Sequence, residues 1–285
     1  MSNCCVVTGA SSQIGDVLLK ELPAHFLQVA AWSRHPQADR PGVVWQRVDL
    51  AEDYRVDESA SHLLHLAPLP LLAPVLEAAM APLRVVAIST CSVLHKAKST
   101  SAAERQLARE LRDAEEKVIA VACKKGHQLT LLRPTMLYGT GRDSTVGVLQ
   151  RFAVKYGFLV VPGKAPGLRQ PVHVADVAQA ILQCLAEDNT IGKTFELGGK
   201  SQMTLRQMCE KILVDNGKRP RVVGVPVWAL KLAIWLAKIL RIRPDWDVAL
   251  LQRAWQNQVV DNRVAIHEFG YNPRPFNGQR VAGKP

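Results

Sequence analysis

Short apolar runs alternate with helix-spaced stretches through the first half of this chain, and that alternation predicts its architecture. Residues 3–8 are apolar and β-prone, and Ile14, Val17, Leu18 and Leu22 follow at helical spacing across a Gly/Ser turn. The reading is strand, loop, helix. Further strands are predicted over 28–32, ending at Ser33-Arg34, over 43–48, ending at Asp49-Leu50, and over 63–66 and 84–89. Residues 102–124 read as one long helix, with Leu107, Leu111, Ala114, Val118 and Val121 as its apolar stripe and Glu, Arg and Lys over the rest. A strand over 129–133 follows it. Strands alternating with helices predict an α/β fold, a Rossmann-type doubly wound parallel sheet rather than an antiparallel sandwich.

Beyond Tyr138-Gly139-Thr140-Gly141 the pattern is less regular and richer in Gly and Pro. We therefore expect a Rossmann core over 1–140 and, over most of 141–285, a smaller C-terminal substrate lobe. Residues 165–200 are expected to cross back to the core, because Asp176, Val177, Ala180, Ile181 and Cys184 keep a helical period.

Composition narrows the function classes. The chain has 285 residues, 48% of them hydrophobic, enough for a well-buried core. No run of 18 uncharged apolar residues is present and the N-terminus opens on a strand, so a cytoplasmic location is expected. The six cysteines form no Cys-x-x-Cys pair and no histidine cluster has zinc spacing, so reduced, mostly buried thiols and no metal site are expected. A net charge of +11 attracts polyanions. Its basic residues are scattered, however. The densest cluster, Lys218-Arg219-Pro220-Arg221, has no aromatic-interleaved stripe beside it, so no nucleic-acid partner is expected.

The candidate chemistry begins at the first turn. In Thr8-Gly9-Ala10-Ser11-Ser12-Gln13-Ile14-Gly15 the pattern is Thr-Gly-x-x-Ser-x-x-Gly, with small residues where backbone amides must approach a pyrophosphate. Gly9 makes the tight turn, Gly15 lets the helix pack on its strand, and the amides of Ser12, Gln13 and Ile14 face the anion. Ser12 replaces the usual middle glycine; its hydroxyl is small and can donate to phosphate. The cofactor is read as NAD(P). At the end of the second strand, where NAD-preferring proteins carry a carboxylate, stand Ser33, Arg34 and His35. A guanidinium there suits the 2′-phosphate, so NADP is expected over NAD. The alternative for Arg34 is a solvated loop residue. Asp49-Leu50 and Leu66-Ala67 are placed around the adenine and its ribose.

Several phrases together resemble the extended short-chain dehydrogenase/reductase superfamily, the group that contains nucleotide-sugar epimerases and dehydratases. They are Val7-Thr8-Gly9 with Ile14-Gly15, Val48-Asp49-Leu50, His65-Leu66-Ala67, Ile88-Ser89-Thr90, Leu132-Arg133-Pro134-Thr135, Arg169-Gln170-Pro171-Val172-His173-Val174, Phe195-Glu196-Leu197-Gly198-Gly199 and Phe269-Gly270-Tyr271. The resemblance implies a nicotinamide near Pro134 and Thr135, and a substrate between core and lobe. It also implies a Tyr-x-x-x-Lys proton relay on the long helix. Aligning on Ala114-Glu115 puts Leu107 and Leu111 at those two positions, and no tyrosine lies between Tyr54 and Tyr138. Thr90 matches the family's catalytic Ser/Thr and is the one catalytic residue carried over; its alternative is a strand-end threonine satisfying backbone. Ser92, His95, Lys96 and Lys98 follow it, and His95 or Lys96 is the candidate replacement acid. Met136 stands where nucleotide-sugar members carry an asparagine. Arg169 matches an arginine that grips the substrate diphosphate; its alternative is a structural pair with Asp176 or Asp143.

Residues 225–240, with Trp228, Trp235 and many aliphatics, are too short at about 24 Å to span a bilayer. They read either as a packed helix of the lobe or as a peripheral membrane contact. Two functions stay open: a redox step on a phosphorylated, nucleotide- or lipid-linked sugar or similar hydroxyl/keto substrate, and a non-catalytic NAD(P)-binding scaffold or sensor that docks a partner or membrane.

Overall fold

The computed structural model describes residues 4–52, 55–232, 251 and 253–280. Its strands are β1 (Cys4–Thr8), β2 (Gln28–Ser33), β3 (Val43–Arg47), β4 (Ala60–His65), β5 (Arg84–Ile88), β6 (Gln128–Pro134), β7 (Leu137–Tyr138), β8 (Leu159–Pro162), β9 (Leu168–Arg169), β10 (Val172–His173), β11 (Thr194–Leu197), β12 (Met203–Thr204) and β13 (Val222–Val225). Seven of them form one parallel sheet in the order β11-β6-β5-β4-β1-β2-β3. From β1 the chain winds outward to β3, then returns to lay β4, β5, β6 and β11 on the other side. The direction of winding therefore reverses between β1 and β4, and the loops on either side of that point diverge to leave a crevice.

Both faces of the sheet are covered, which is why β1 reads as a continuous apolar run and is buried along its whole length. Alternate residues point to opposite layers. Cys5, Val7, Val29 and Ala31 pack with Leu18 of α1 (Gln13–Glu21) and with Val177 and Ile181 of α6 (Val174–Ala186). Phe269 and Tyr271, at the end of a C-terminal helix over Arg263–Phe269, join this layer. Val6, Ala30, Val85 and Ala87 face the other way, against Leu72 and Leu76 of α2 (Leu72–Ala78) and Val118 and Ala122 of α4 (Ala102–Lys125). A third cluster lies outside the sheet. It joins α5 (Val146–Tyr156), α7 (Leu205–Asp215) and β8 through Val146, Ala153, Leu159, Val161, Met208 and Ile212.

Two expectations are corrected. The fourth strand starts at Ala60, not at residue 63, because its polar residues find partners: the Ser61 hydroxyl donates to the Cys4 carbonyl at 3.1 Å, and His62 packs edge-on against Phe26. The long helix keeps Val118 of its expected stripe buried, with Ala114 and Val121 packed beside it, but its inward face is displaced from the expected one. Glu104, Ala108, Glu115, Val118 and Ala122 are buried, while Leu107 is 39% exposed. The stripe shifted because both glutamates have partners. Glu115 accepts from the Ser89 hydroxyl at 2.5 Å and from Arg133 Nε at 2.9 Å, with a second Arg133 contact through Nη2. Glu104 accepts from the Ser99 hydroxyl at 2.6 Å and lies 2.8 Å from Arg253 Nε. The helix begins at Ser101, whose hydroxyl caps Glu104, and ends at Gly126 in the left-handed region.

All six cysteines are free thiols, and five are buried. No helix among the described residues is long and apolar enough to cross a membrane. Of the apolar segment over 225–240, residues 233–240 lie outside the described residues.

Glu115 ties the long helix to β5 and β6 from inside. Glu115→Ala leaves the Arg133 guanidinium and the Ser89 hydroxyl without their partner, and we expect a loss of about 3 kcal/mol in urea unfolding. A midpoint equal to that of the parent chain would show that the pair contributes nothing.

Candidate functional site

The turn between β1 and α1 is fixed by close backbone approach. Gly9 has φ of 64°, and a Cβ there would sit 2.5 Å from the Ala67 amide nitrogen. At Gly15 a Cβ would come within 2.1 Å of the Ala10 carbonyl oxygen. No other side chain fits either place. Ser12 caps the helix: its hydroxyl accepts from the Gly15 amide at 3.2 Å, and its own amide donates to the Gly9 carbonyl at 2.9 Å. The Ser12 amide is thus spent inside the turn, a correction to the expectation that it faces an anion. The amides of Gln13 and Ile14 have no acceptor among the described residues, as expected at positions with no preceding helical carbonyl. Ile14 is buried and anchors the turn, while the Gln13 side-chain carbonyl accepts from the Thr140 hydroxyl.

Over this turn opens a cavity of about 360 Å³, across the carboxyl ends of β4, β1, β2 and β3. Gly9, Ser11, Ser12, Ser33, Arg34, Asp49, Leu50, Leu66 and Ala67 all line it. The fold gathers here residues that the sequence spreads over nearly sixty positions. Ser33 is buried, its hydroxyl 3.5 Å from that of Ser11, and it accepts from the His35 amide. Arg34 is exposed, and no ion pair among the described residues engages it. Asp49 spends one carboxylate oxygen on the Ala51 amide at 3.0 Å.

Thr8 does not line the cavity. It is fully buried, and its hydroxyl lies 2.7 Å from Nδ1 of His65, whose Nε2 lies 3.2 Å from the Pro68 carbonyl. A neutral imidazole satisfies both contacts, Nδ1 accepting from Thr8 and Nε2–H donating to Pro68. Burial pushes the His65 pKa down to about 4. His65 therefore pins the segment Leu66-Ala67-Pro68 against β1. Sequence reasoning quoted this histidine within a motif and gave it no role; a polar residue closing an apolar strand was the available signal.

A second cavity, of about 190 Å³, lies beyond β5 and β6 on the same edge. It brings together Thr90, Ser92, His95, Lys96, Pro134, Thr135, Met136 and Arg169. The Thr90 oxygen accepts from the Ser92 amide at 3.2 Å, and the Thr135 hydroxyl donates to the Gln170 carbonyl. Lys96 titrates below its ordinary range because burial disfavours its charge, with Arg253 adding to the effect. His95 is lowered too, first by burial, and Lys98 is exposed outside the cavity. Arg169 is 4% exposed; Nη1 donates to the Leu168 and Gln256 carbonyls at 2.9 and 2.8 Å and Nη2 to the Arg253 carbonyl at 2.5 Å. Burial, and then Arg253, lower its pKa to about 10. Its pairing with Asp176 or Asp143 is not made: Asp176 holds Arg274 at 2.6 Å, and Asp143 accepts from the Gly147 amide at 2.7 Å.

The largest hollow, about 830 Å³ and open, lies between the end of β11 and residues 259–273. The helix Arg263–Phe269 opens at its wall, but the hollow holds no residue of the β1–α1 turn and only Gln170 of the second cavity's residues, so the two smaller cavities form the candidate site.

No family model matches the chain. A subunit named NADH dehydrogenase [ubiquinone] 1 alpha subcomplex subunit 9, mitochondrial, from Arabidopsis thaliana is 37% identical over 100 residues, covering 35% of this chain and 25% of that protein. The 40 kDa subunit of mitochondrial NADH-ubiquinone oxidoreductase from Neurospora crassa is 37% identical over 150 residues, covering 51% of this chain and 38% of that protein. The matches thus span well under half the length of these relatives. Among solved structures, MoeE5 in complex with UDP-glucuronic acid and NAD superposes with a TM-score of 0.71 at 20% identity, over 95% of this chain and 94% of that one. The chain has the extended short-chain dehydrogenase/reductase fold.

No residue of the long helix lines the second cavity. Leu107 and Leu111 do not line it. Nor does any described tyrosine: Tyr138 is buried with its oxygen accepting from the Asn277 amide, Tyr271 donates to the Gly198 carbonyl at 3.0 Å, and Tyr156 is exposed. Lys96 and His95 line the cavity with Thr90, as does Cys91, whose thiol burial pushes up to about 12.

The depressed pKa of His65 makes the first cavity's wall acid-sensitive. An unfolded histidine takes up its proton near pH 6.5, whereas the folded one resists to about 4. Stability linked to His65 is therefore complete above pH 6.5 and is lost as the pH falls toward 4. Between pH 7.5 and 4.5 the parent chain should lose about 2–3 kcal/mol more than His65→Gln in urea unfolding. Parallel losses would show that the imidazole titrates freely in the folded chain.

Proposed function

We propose that this chain binds a nicotinamide dinucleotide along the carboxyl edge of its sheet, prefers NADP, and uses it as a structural or sensing ligand rather than turning it over through a Tyr-Lys relay. The adenosine half belongs in the 360 Å³ cavity, where Asp49 has an oxygen left for ribose or adenine and Leu50 and Leu66 supply apolar walls. The pyrophosphate belongs at the N-terminus of α1, opposite the Gln13 and Ile14 amides. The 2′-phosphate falls to Arg34, and the nicotinamide to Pro134 and Thr135 in the second cavity. Bound there, the cofactor supplies hydride chemistry at its ring; this chain supplies the cradle and the orientation.

One observation carries the non-catalytic part: Gly9, Ser11, Ser33, Arg34 and Asp49 gather around one cavity, whereas among the described residues no tyrosine lines the other cavity beside Thr90. The similarity to named subunits of mitochondrial NADH dehydrogenases, over a quarter to about two fifths of their lengths, supports a role within an assembly rather than a free enzyme. The second reading is an epimerase- or dehydratase-type redox step on a phosphorylated, nucleotide- or lipid-linked sugar. Lys96 favours it, since a lysine with a lowered pKa beside Thr90 is suited to exchanging a proton with a substrate oxygen. Met136, and the commitment of both Arg169 terminal nitrogens to carbonyls, weigh against a gripped diphosphate.

Calorimetric titration with NADPH and NADH separates these statements. Arg34→Ala should weaken NADPH about tenfold or more, the worth of one charge-assisted phosphate contact, and leave NADH unchanged. Equal loss for both cofactors would remove the phosphate role from Arg34. Hydride transfer across a keto-sugar panel should be absent. Turnover that disappears in Thr90→Val, with NADPH affinity retained, would establish the second reading in place of the first.

A further inference from the structure

An apolar patch lies on the outer lobe, away from both cavities. On α5, Val148, Phe152 and Tyr156 recur every four residues and are 46%, 38% and 51% exposed. Phe152 stacks on Tyr156 with ring centroids 4.4 Å apart and meets Phe158 edge-on at 5.7 Å. Phe158 and Val160 share the outer face of β8 by strand alternation, since Leu159 and Val161 point inward. Val223 of β13 is the register partner of Val160, and is 50% exposed. Trp228, three residues past β13, is 71% exposed. Seven large apolar side chains in solvent on these elements are more than the scattered exposure that a surface ordinarily shows.

The charge around them has one sign. Residues 146–165 and 216–232 contain seven lysines and arginines and no aspartate or glutamate. Arg151, Lys155, Lys218, Arg219 and Arg221 are all exposed, and the Lys155 ammonium sits 5.0 Å over the Tyr156 ring. The acids of α7, the helix packed behind, are already engaged: Glu210 with Arg206, and Asp215 with Lys211 at 3.0 Å.

We propose that this face docks on a membrane bearing anionic phospholipid. Aromatic side chains with a polar tip or edge settle at the boundary between headgroups and acyl chains, and lysines and arginines around them pair with lipid phosphates. None of its residues lines the cavities described above. A second copy is disfavoured, because a twofold contact here would set one basic ring against another. The docking is independent of the cofactor reading and leaves the carboxyl edge of the sheet open.

Flotation of the full chain with lipid vesicles tests this. Vesicles of three parts phosphatidylcholine to one part phosphatidylglycerol should carry the protein, pure phosphatidylcholine should not, and added salt should release it. Phe152→Ser with Tyr156→Ser and Phe158→Ser should cut partitioning at least tenfold. Lys155→Glu with Arg221→Glu should do the same, as removing one basic residue near such a surface costs about fivefold. These positions are exposed, so the circular dichroism and thermal midpoint of each variant should match the parent chain. Equal flotation with both vesicle types, undiminished flotation of either variant, or a dimer in sedimentation that the aromatic variant abolishes would overturn the proposal.

Discussion

The carboxyl edge of the sheet depends on one constraint, the approach of three backbone segments at Gly9. The turn leaving β1 must pass so close to Leu66 and Ala67 that no β-carbon fits, and the helix that follows must close on Ala10 through Gly15. His65 enforces the first approach from inside, joining the Thr8 hydroxyl to the Pro68 carbonyl with a neutral ring in a dry setting. These contacts leave the Gln13 and Ile14 amides unpaired at the head of α1. They also set Ser11, Ser33, Arg34 and Asp49 around one cavity. A loosened turn would lose the helix direction and the cavity together.

The other end of the same edge is organised by charge. Glu115 and Arg133 tie the long helix to β5 and β6, and Glu104 approaches Arg253 while Arg169 gathers the carbonyls of residues 253 and 256. Buried ions of this kind are costly unless each donor and acceptor is used, and here most are. The result is a small, positively flanked cavity in which Thr90, Ser92, His95 and Lys96 lie with Thr135. The residues proposed to hold a cofactor and those around Thr90 thus line different cavities in this chain.

Much of the fold was legible beforehand because parallel strands buried on two faces must be apolar runs, and turns carrying anions must be small. β1, β2, β5 and β6 are of this type, as are Gly9, Gly15 and the residues at the ends of β2, β3 and β4. The long helix was legible in extent and only partly in orientation, through Val118, Ala114 and Val121. Its most apolar stripe includes Leu107, yet the buried face holds Glu104 and Glu115, since their partners Ser99, Arg253, Ser89 and Arg133 come from other segments. Hydrophobic periodicity has no term for a charge that will be paired.

The sequence by itself determined the alternation of strands and helices, the tight turn at Gly9 and Gly15 and the absence of a tyrosine from the long helix, because each follows from local patterning, sterics or residue identity. Only the tertiary structure decided that Ser12 spends its amide within the turn, that Arg169 serves the backbone, and that His65 pins the segment lining the first cavity. It alone decided that Phe152, Phe158 and Val223, far apart in the chain, share one exposed face. Each of these is a matter of which partner arrives from a distant segment, and spacing along a chain carries no record of that.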